Sequence, residues 1–321
     1  MKRLRVGVVG AGVMGKHHAN IYAALPHVDF VAVADPDALQ RREMSDRYAV
    51  ETYPDTETLL RHAHLDAVSI AAPTSLHYRL SKRFLEAGVH VLVEKPVATD
   101  MFQAKALIAL SRERGLVLQV GHITRFYKAV DLLKEQSKRP YLIEARRLTP
   151  YARIKDAGVI LDLMIHDIDI VLSLVSSEVK SVSVSGHVLN GSPFEDVAAA
   201  QIVFENGCIA RFLASRVAPD AERTLVVAEA EQTLRLDFAK EPHTEMAVYK
   251  PLYDATGNGH VQVDVRSVYE DNPLRKELEH FLARIRTGAP PVGTPEDDLR
   301  SLSLATQLIE KLEVTRTPHL V

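Results

Sequence analysis

Leu4-Arg5-Val6-Gly7-Val8-Val9 runs directly into Gly10-Ala11-Gly12-Val13-Met14-Gly15. A short β-branched run followed by three glycines at this spacing reads as a strand turning into a helix. Gly10 permits the tight turn, Gly12 lets a pyrophosphate approach the backbone, and Gly15 lets the helix pack closely on the strand. The helix start, with Val13 and Met14, then offers phosphates its unpaired N–H groups and positive dipole end. A glycine-rich turn without ligand also fits the hexapeptide alone. Asp35, which closes the apolar run Phe30–Ala34 twenty residues after Gly15, narrows the choice. A carboxylate there accepts hydrogen bonds from the adenosine ribose and repels a 2′-phosphate. With Arg41 and Arg42 expected to face solvent, the pattern favours NAD over NADP. A helix N-cap is the plainer role for Asp35.

Outward from this junction, the first 121 residues alternate short apolar runs with helical patterns. Strands are predicted at Leu4–Val9, Phe30–Ala34, Ala67–Ala72, Val89–Val93 and Leu116–Val120, with helices at Met14–Leu25, Leu76–Glu86 and Met101–Arg114 among them. Apolar strands separated by helices make a parallel sheet covered on both faces. After Gly121 the pattern changes to a helix at Phe126–Glu135, a strand at Leu142–Leu148 and an apolar helix at Val159–Leu174. Strands then follow one another. Ala199–Glu205 and Cys208–Ser215 flank Asn206-Gly207, expected as a two-residue hairpin turn with φ > 0 at both positions. Leu225–Ala230 and Thr233–Phe238 form another hairpin, and helices at Leu274–Arg286 and Glu296–Lys311 close the chain. The predicted fold is α/β: a Rossmann parallel sheet over 1–121, then an α+β domain with a large, mostly antiparallel open sheet over 122–321. Its C-terminal helix is free to pack back on the first domain.

Composition excludes some functions. Lys plus Arg number 39 against 42 Asp plus Glu, a formal charge of −3. That leaves no basic excess for a nucleic-acid surface. No stretch approaches the roughly 18 apolar residues that span a bilayer. The one cysteine, Cys208, forms no intrachain disulfide and reads as a packing residue; with no signal-peptide pattern, this suits the reducing cytoplasm.

Two signals carry chemistry. Glu94-Lys95-Pro96 follows the fourth of the strands named above, and open parallel sheets bind ligands beyond the carboxyl ends of their strands. Lys95 is therefore a candidate site residue, although a surface Lys-Pro turn fits as well. Within Gly158–Asp169, Asp162, His166 and Asp169 stand at i, i+4 and i+7, a polar stripe on an apolar helix. Buried polar groups need partners, so the stripe must face a polar cavity or another domain. A divalent ion is the rival occupant, but His17-His18 and His62-x-His64 offer no matching ligands, and no metal is expected. An imidazole titrating near neutrality suits His166 as base, with Asp162 orienting it or the substrate and Lys95 stabilising a developing oxyanion. Lys95 and His166 are interchangeable in these roles. Arg125, Arg146, Arg147 and Arg153 flank this helix in sequence, and arginine forks suit a pyrophosphate. Arg146 and Arg147 face opposite sides of a strand, so at most one reaches a site.

In this order and placement, the glycine motif, Glu94-Lys95-Pro96 and Asp162-x-x-x-His166 resemble the Gfo/Idh/MocA oxidoreductase family over essentially the whole chain. The resemblance implies that Lys95, Asp162 and His166 line the place where the nicotinamide meets the substrate. It also implies that Ala72, Pro73, Thr74 and His77 flank the cofactor, that Glu94 touches the nicotinamide ribose, and that subunits associate through the second sheet as a homodimer or homotetramer. Pro73–His77, Gly121–Phe126, Arg153–Val159 and Asn272–Phe281 are similar to family members that oxidise the C3 hydroxyl of UDP-N-acetylglucosamine with NAD, on the way to diamino-sugar lipid A. With the arginine chemistry, this makes His122, Arg125, Arg146, Arg153, Asp162 and His166 the candidate substrate contacts. Thr124 departs from that pattern, where an acidic residue is expected. Rival expectations are an inositol or free-sugar dehydrogenase, an NAD-recycling glycosidase, and an NAD- or sugar-sensing regulator without chemistry.

Overall fold

A computed structural model of the chain describes residues 3–151, 157–189, 192–240, 243–253 and 259–316. It divides into two compact units, one of residues 1–123 with 272–299, the other of 124–271 with 300–321.

The first unit begins as β1 (Leu4–Val9), α1 (Val13–Ala24), β2 (Val28–Ala34), α2 (Ala38–Tyr48), β3 (Glu51–Tyr53) and α3 (Thr56–His62). It continues as β4 (Ala67–Ile70), α4 (Thr74–Glu86), β5 (His90–Glu94), α5 (Met101–Glu113) and β6 (Leu118–Gly121). All strands run parallel in the order β3-β2-β1-β4-β5-β6. Helices cover both faces, which is why Val6, Val8, Val91 and Val93 are fully buried without a polar alternation. The strand order reverses between β1 and β4, leaving a crevice at their carboxyl ends. Most helix starts here carry their own acceptor: Asp37, Asp55 and Asp100 cap α2, α3 and α5 through the amides of Leu39, Thr58 and Gln103. α1 starts at Gly12 with no side-chain cap. Its first amides are left for an acceptor from outside the helix.

In the second unit come α6 (Lys128–Gln136), β7 (Leu142–Leu148), a π-helical turn (Ile160–Met164), α7 (Ile165–Leu174), β8 (Val179–Val188) and β9 (Val197–Phe204). Next are β10 (Ile209–Ser215), β11 (Glu222–Ala228), β12 (Thr233–Asp237), β13 (His243–Tyr253) and β14 (Gly259–Tyr269). After α8 (Pro273–Thr287) and α9 (Pro295–Glu310), β15 (Glu313–Arg316) closes the described chain. The sheet order is β14-β13-β12-β11-β7-β10-β9-β8-β15, antiparallel except where β10 meets β7 and β15 meets β8. One face is covered by α6, α7 and the Leu304, Ala305 and Leu308 side of α9. The alternation in β7 shows the two faces: Ile143, Ala145 and Arg147 are buried, while Glu144 and Arg146 are exposed. On β14 Val261, Val263 and Val265 stand exposed on alternate positions.

Three expectations are corrected here. The Asn206-Gly207 connection is a three-residue loop: Phe204 pairs with Cys208, and Gly207 has φ of 87°. Asn206 does not share that conformation, because its carboxamide instead accepts the Cys208 amide at 3.0 Å. The helix predicted at Val159–Leu174 is interrupted by the π-turn. Residues 272–299, read with the second domain, belong to the first unit, where Leu278, Phe281 and Leu282 of α8 pack against Ala19 and Tyr22 of α1. Among the described residues no helix is long and apolar enough to cross a membrane.

Candidate active site

The glycine loop is built as its spacing predicts. Gly10 has φ of +89°, and a Cβ on it would lie 2.5 Å from the Ala71 carbonyl oxygen. A Cβ on Gly15 would lie 1.8 Å from the Gly10 carbonyl oxygen, so the close approach of helix and turn depends on both. At Gly12 nothing stands within 4 Å of that position. Backbone N–H groups at an uncapped helix start, facing open space, form a cradle that fits a pyrophosphate. Gly10, Gly12, Val13 and Met14 line a cleft of about 720 Å³ with Asp35, Pro36, Ala72 and Pro73.

Asp35 is held rigidly. Its Oδ2 accepts the Ala11 amide at 2.7 Å and its Oδ1 the Asp37 amide at 2.8 Å, which ties the end of β2 to the glycine loop. A carboxylate has room for further donors, and ribose hydroxyls suit it. The N-cap of α2 is Asp37, not Asp35. Arg41, expected in solvent, folds back and donates to the carbonyl oxygens of Asp35 at 2.8 Å and Pro36 at 2.9 Å.

Glu94 ends β5 and Lys95 follows it, half-buried, with a cis peptide to Pro96. The Glu94 carboxylate is engaged by His18 of α1, Nε2 to Oε1 at 3.0 Å. Burial alone would raise its carboxyl pKa; the His18 hydrogen bond and the charges of His18, Lys95 and His77 outweigh that and hold it below the ordinary value. His77 lies in α4 and is 1% exposed, with Nδ1 2.7 Å from the Pro96 carbonyl oxygen and Nε2 2.8 Å from that of Ala72. The ring is a strut between the loops after β4 and β5. Both ring nitrogens are committed to the backbone of those loops. Thr74 opens α4.

His122 is buried, with Nε2 3.7 Å from Asp298 Oδ1 in the first turn of α9. Thr124 is also buried.

In the second unit Asp162 lies in the π-turn and His166 in the first turn of α7, both half-buried. The wider turn removes the regular one-turn offset expected between them; π-turns of this kind are frequent at functional sites. Asp169, the third member of the stripe, is excluded from open space. Arg125 forks onto it at 2.8 and 2.6 Å and the Ser301 hydroxyl donates at 2.9 Å. Arg147 does the same for Asp167 at 2.9 and 2.6 Å. Arg146 points to the other face of the sheet and pairs with Glu222 at 2.7 Å. Arg125 and Arg146, expected as substrate contacts, are each paired with a carboxylate. Arg153 lies outside the described residues. The Cys208 thiol, pushed up to about 11 by burial, stays protonated and inert at neutral pH. No group of three metal-ligating side chains occurs among the described residues.

Sequence reasoning missed the residues that support this helix. Glu195 accepts the Ile160 amide at 3.0 Å, and a Cβ on Gly158 would lie 2.0 Å from both its carboxylate oxygens. Arg216, 1% exposed, donates to the carbonyl oxygens of Ala157 at 3.0 Å and Glu195 at 2.8 Å, with Asp196 3.2 Å from its Nε. His18, Glu195 and Arg216 carried no local signal, since their partners lie 20 to 76 residues away.

Residues 4–122 match the model of the oxidoreductase family with NAD-binding Rossmann fold, and residues 136–235 match the GFO/IDH/MocA C-terminal domain. The chain is 34% identical over 310 residues to UDP-N-acetylglucosamine 3-dehydrogenase from Acidithiobacillus ferrooxidans, covering 96% of this chain and 97% of that one. It is 28% identical to scyllo-inositol 2-dehydrogenase (NAD(+)) from Bacillus subtilis, covering 92% and 90%. A solved structure of UDP-N-acetylglucosamine 3-dehydrogenase from Acidithiobacillus ferrooxidans superposes with a TM-score of 0.86 at 32% identity, covering 97% and 98%.

Proposed function

The chain belongs to the GFO/IDH/MocA oxidoreductase family, and from that premise we propose that it oxidises the C3 hydroxyl of UDP-N-acetylglucosamine to a ketone with NAD. One observation carries the cofactor half: α1 starts uncapped at Gly12, facing open space beside the fixed carboxylate of Asp35. The substrate half is supported by likeness along the full chain to a relative of that activity.

NAD, when bound, supplies the carbon that accepts the hydride. His166 takes the hydroxyl proton as the C–H bond breaks, and Asp162 orients the imidazole or the sugar. Lys95 donates to the reacting oxygen and stabilises its charge. The ketone formed suits a following transamination, consistent with a diamino-sugar lipid A precursor. The setting is the reducing cytoplasm, and the open apolar positions of β14 favour a homodimer or homotetramer.

The test is NADH absorbance on mixing NAD and UDP-N-acetylglucosamine, with Lys95→Met and His166→Asn made separately. Each variant should lose at least about a hundredfold in turnover, in the range of general acid–base contributions. Full turnover in both would remove these assignments.

A second reading, an inositol or free-sugar dehydrogenase, is favoured by one observation. Arg125 and Arg146 are both paired with carboxylates, so neither requires a nucleotide pyrophosphate as its partner. Turnover of a polyol in the absence of any nucleotide sugar would select it.

A further inference from the structure

The cleft of the first unit extends past Asp35, and its far end has walls of unusual chemistry. Pro36, Pro54 and Thr56 stand on one side and Leu76, Arg79 and Leu80 on the other. The last three sit at i, i+3 and i+4 on α4, so they share one face of that helix. Leu80 is buried and Arg79 exposed, which places apolar surface at depth and a planar cation at the rim.

Arg79 has no hydrogen bond or ion pair among the described residues, and its neighbours do. Arg83, one turn later on α4, lies 3.3 Å from Glu57, and Arg41 is bound to backbone carbonyls. Arg79 thus lines the cleft with its guanidinium uncommitted to any described residue. We propose that Arg79 lays its guanidinium on the adenine ring of the cofactor and closes the outer side of the base pocket. The inference rests on the NAD reading and deepens it.

The order of groups along the cleft selects the base. Pyrophosphate belongs at the start of α1 and the ribose at Asp35, so the next group outward is the adenine. Its faces are flat and its position is bounded by rigid prolines. Arginine stacks on planar aromatic and base surfaces, with its charge attracted to the π face. A 2′-phosphate, the other ligand an arginine here would suit, is opposed by the Asp35 carboxylate.

Isothermal titration of the full chain with ADP-ribose, which has the adenine but no nicotinamide, tests this. Arg79→Ala and Arg79→Met should weaken ADP-ribose about five- to thirtyfold, the range of a partly desolvated cation–π contact. Arg79→Lys should recover part of the loss. Nicotinamide mononucleotide, which lacks the adenine, should bind all forms alike. Equal ADP-ribose affinity in Arg79→Ala would overturn the assignment while leaving NAD use intact. So would a loss confined to 2′-phospho-ADP-ribose, or an equal loss for nicotinamide mononucleotide. Failure of the unaltered chain to bind ADP-ribose would instead overturn the NAD reading beneath it.

Discussion

Arg125 holds Asp169 at two points, Nε to Oδ2 at 2.8 Å and Nη2 to Oδ1 at 2.6 Å, with the arginine side chain 10% and the aspartate 5% exposed. Arg147 grips Asp167 in the same way from β7. Two forks on acids flanking position 168 fix the rotation of α7 about its axis. Since His166 is on the same helix, the direction of its imidazole depends on them.

Removing one partner of such a buried pair leaves the other charge uncompensated, so Arg125→Ala should destabilise the fold by about 3–5 kcal/mol. Lysine lacks the planar fork and should restore only part. Paired apolar replacement, Arg125→Met with Asp169→Leu, should recover most of the stability while lowering turnover, because the packing is retained and the rotational restraint on α7 is not. Urea unfolding of the three forms, alongside their turnover, separates these effects.

His77 joins the Ala72 and Pro96 carbonyls. Each carbonyl left unpaired in a buried place costs about 1–3 kcal/mol, so His77→Ala should be clearly destabilised. Because Pro96 adjoins Lys95, turnover should fall about tenfold or more in the folded fraction, with a smaller change in KM for the sugar. His77→Gln, which retains a donor, should recover part of the turnover. Recovery of stability without recovery of turnover would separate the strut from the chemistry.

Cofactor choice depends on Asp35 and on the guanidinium behind it. With Arg41 fixed at the Asp35 and Pro36 carbonyls, Asp35→Ser removes the repelling carboxylate and leaves a cation nearby. The ratio of kcat/KM for NADP over NAD should rise about tenfold or more, a change of roughly 1.4 kcal/mol. Initial rates with each cofactor measure it; an unchanged ratio would show that Asp35 does not face the ribose.

Glu94 gives a pH dependence. Its folded pKa lies below the ordinary glutamate value of 4.5, so the unfolded chain binds that proton more readily. The associated stability is fully present above the ordinary value and is lost as pH falls through the lower folded one. Urea midpoints taken between about pH 6 and pH 3 should decline more steeply for the unaltered chain than for Glu94→Gln. Parallel curves would mean that the His18 pairing contributes no differential protonation.

The sequence made the first unit legible because its determinants are local. An apolar strand, three glycines at fixed spacing and Asp35 act within a few residues of one another, and each found its expected place on the sheet. β3 escaped because Glu51-Thr52-Tyr53 is a three-residue edge strand with no periodicity to detect. α2 carries one buried residue, Met44, and so has little apolar stripe. β13 and β14 were hidden by Pro251 and by largely exposed positions on β14. In the second unit the polar stripe was visible and its partners were not, because whether a carboxylate faces a substrate or an arginine is decided by residues distant in sequence. Asp169 reads like Asp162 until Arg125, 44 residues earlier, is placed against it. The π-turn leaves no mark in the hydrophobic pattern, which a five-residue interruption barely shifts.

Gly158 sits where a Cβ would come 2.0 Å from both carboxylate oxygens of Glu195. A free glutamate tip would swing away at little cost, but this one is 8% exposed and accepts the Ile160 amide at 3.0 Å, while Arg216 holds its own backbone carbonyl. Gly158→Ala must therefore displace the carboxylate that caps the turn bearing Asp162, and should cost about 1–3 kcal/mol, as overpacking of a buried site does. Glu195→Ala removes the cap and the obstruction together. In that background the added methyl meets space, so the two substitutions should be strongly non-additive, with Gly158→Ala nearly neutral on Glu195→Ala. A double-mutant cycle on urea unfolding measures the coupling, expected at about 1 kcal/mol or more. Simple additivity would mean that Gly158 is required for its backbone conformation alone and that Glu195 does not set the geometry of the turn.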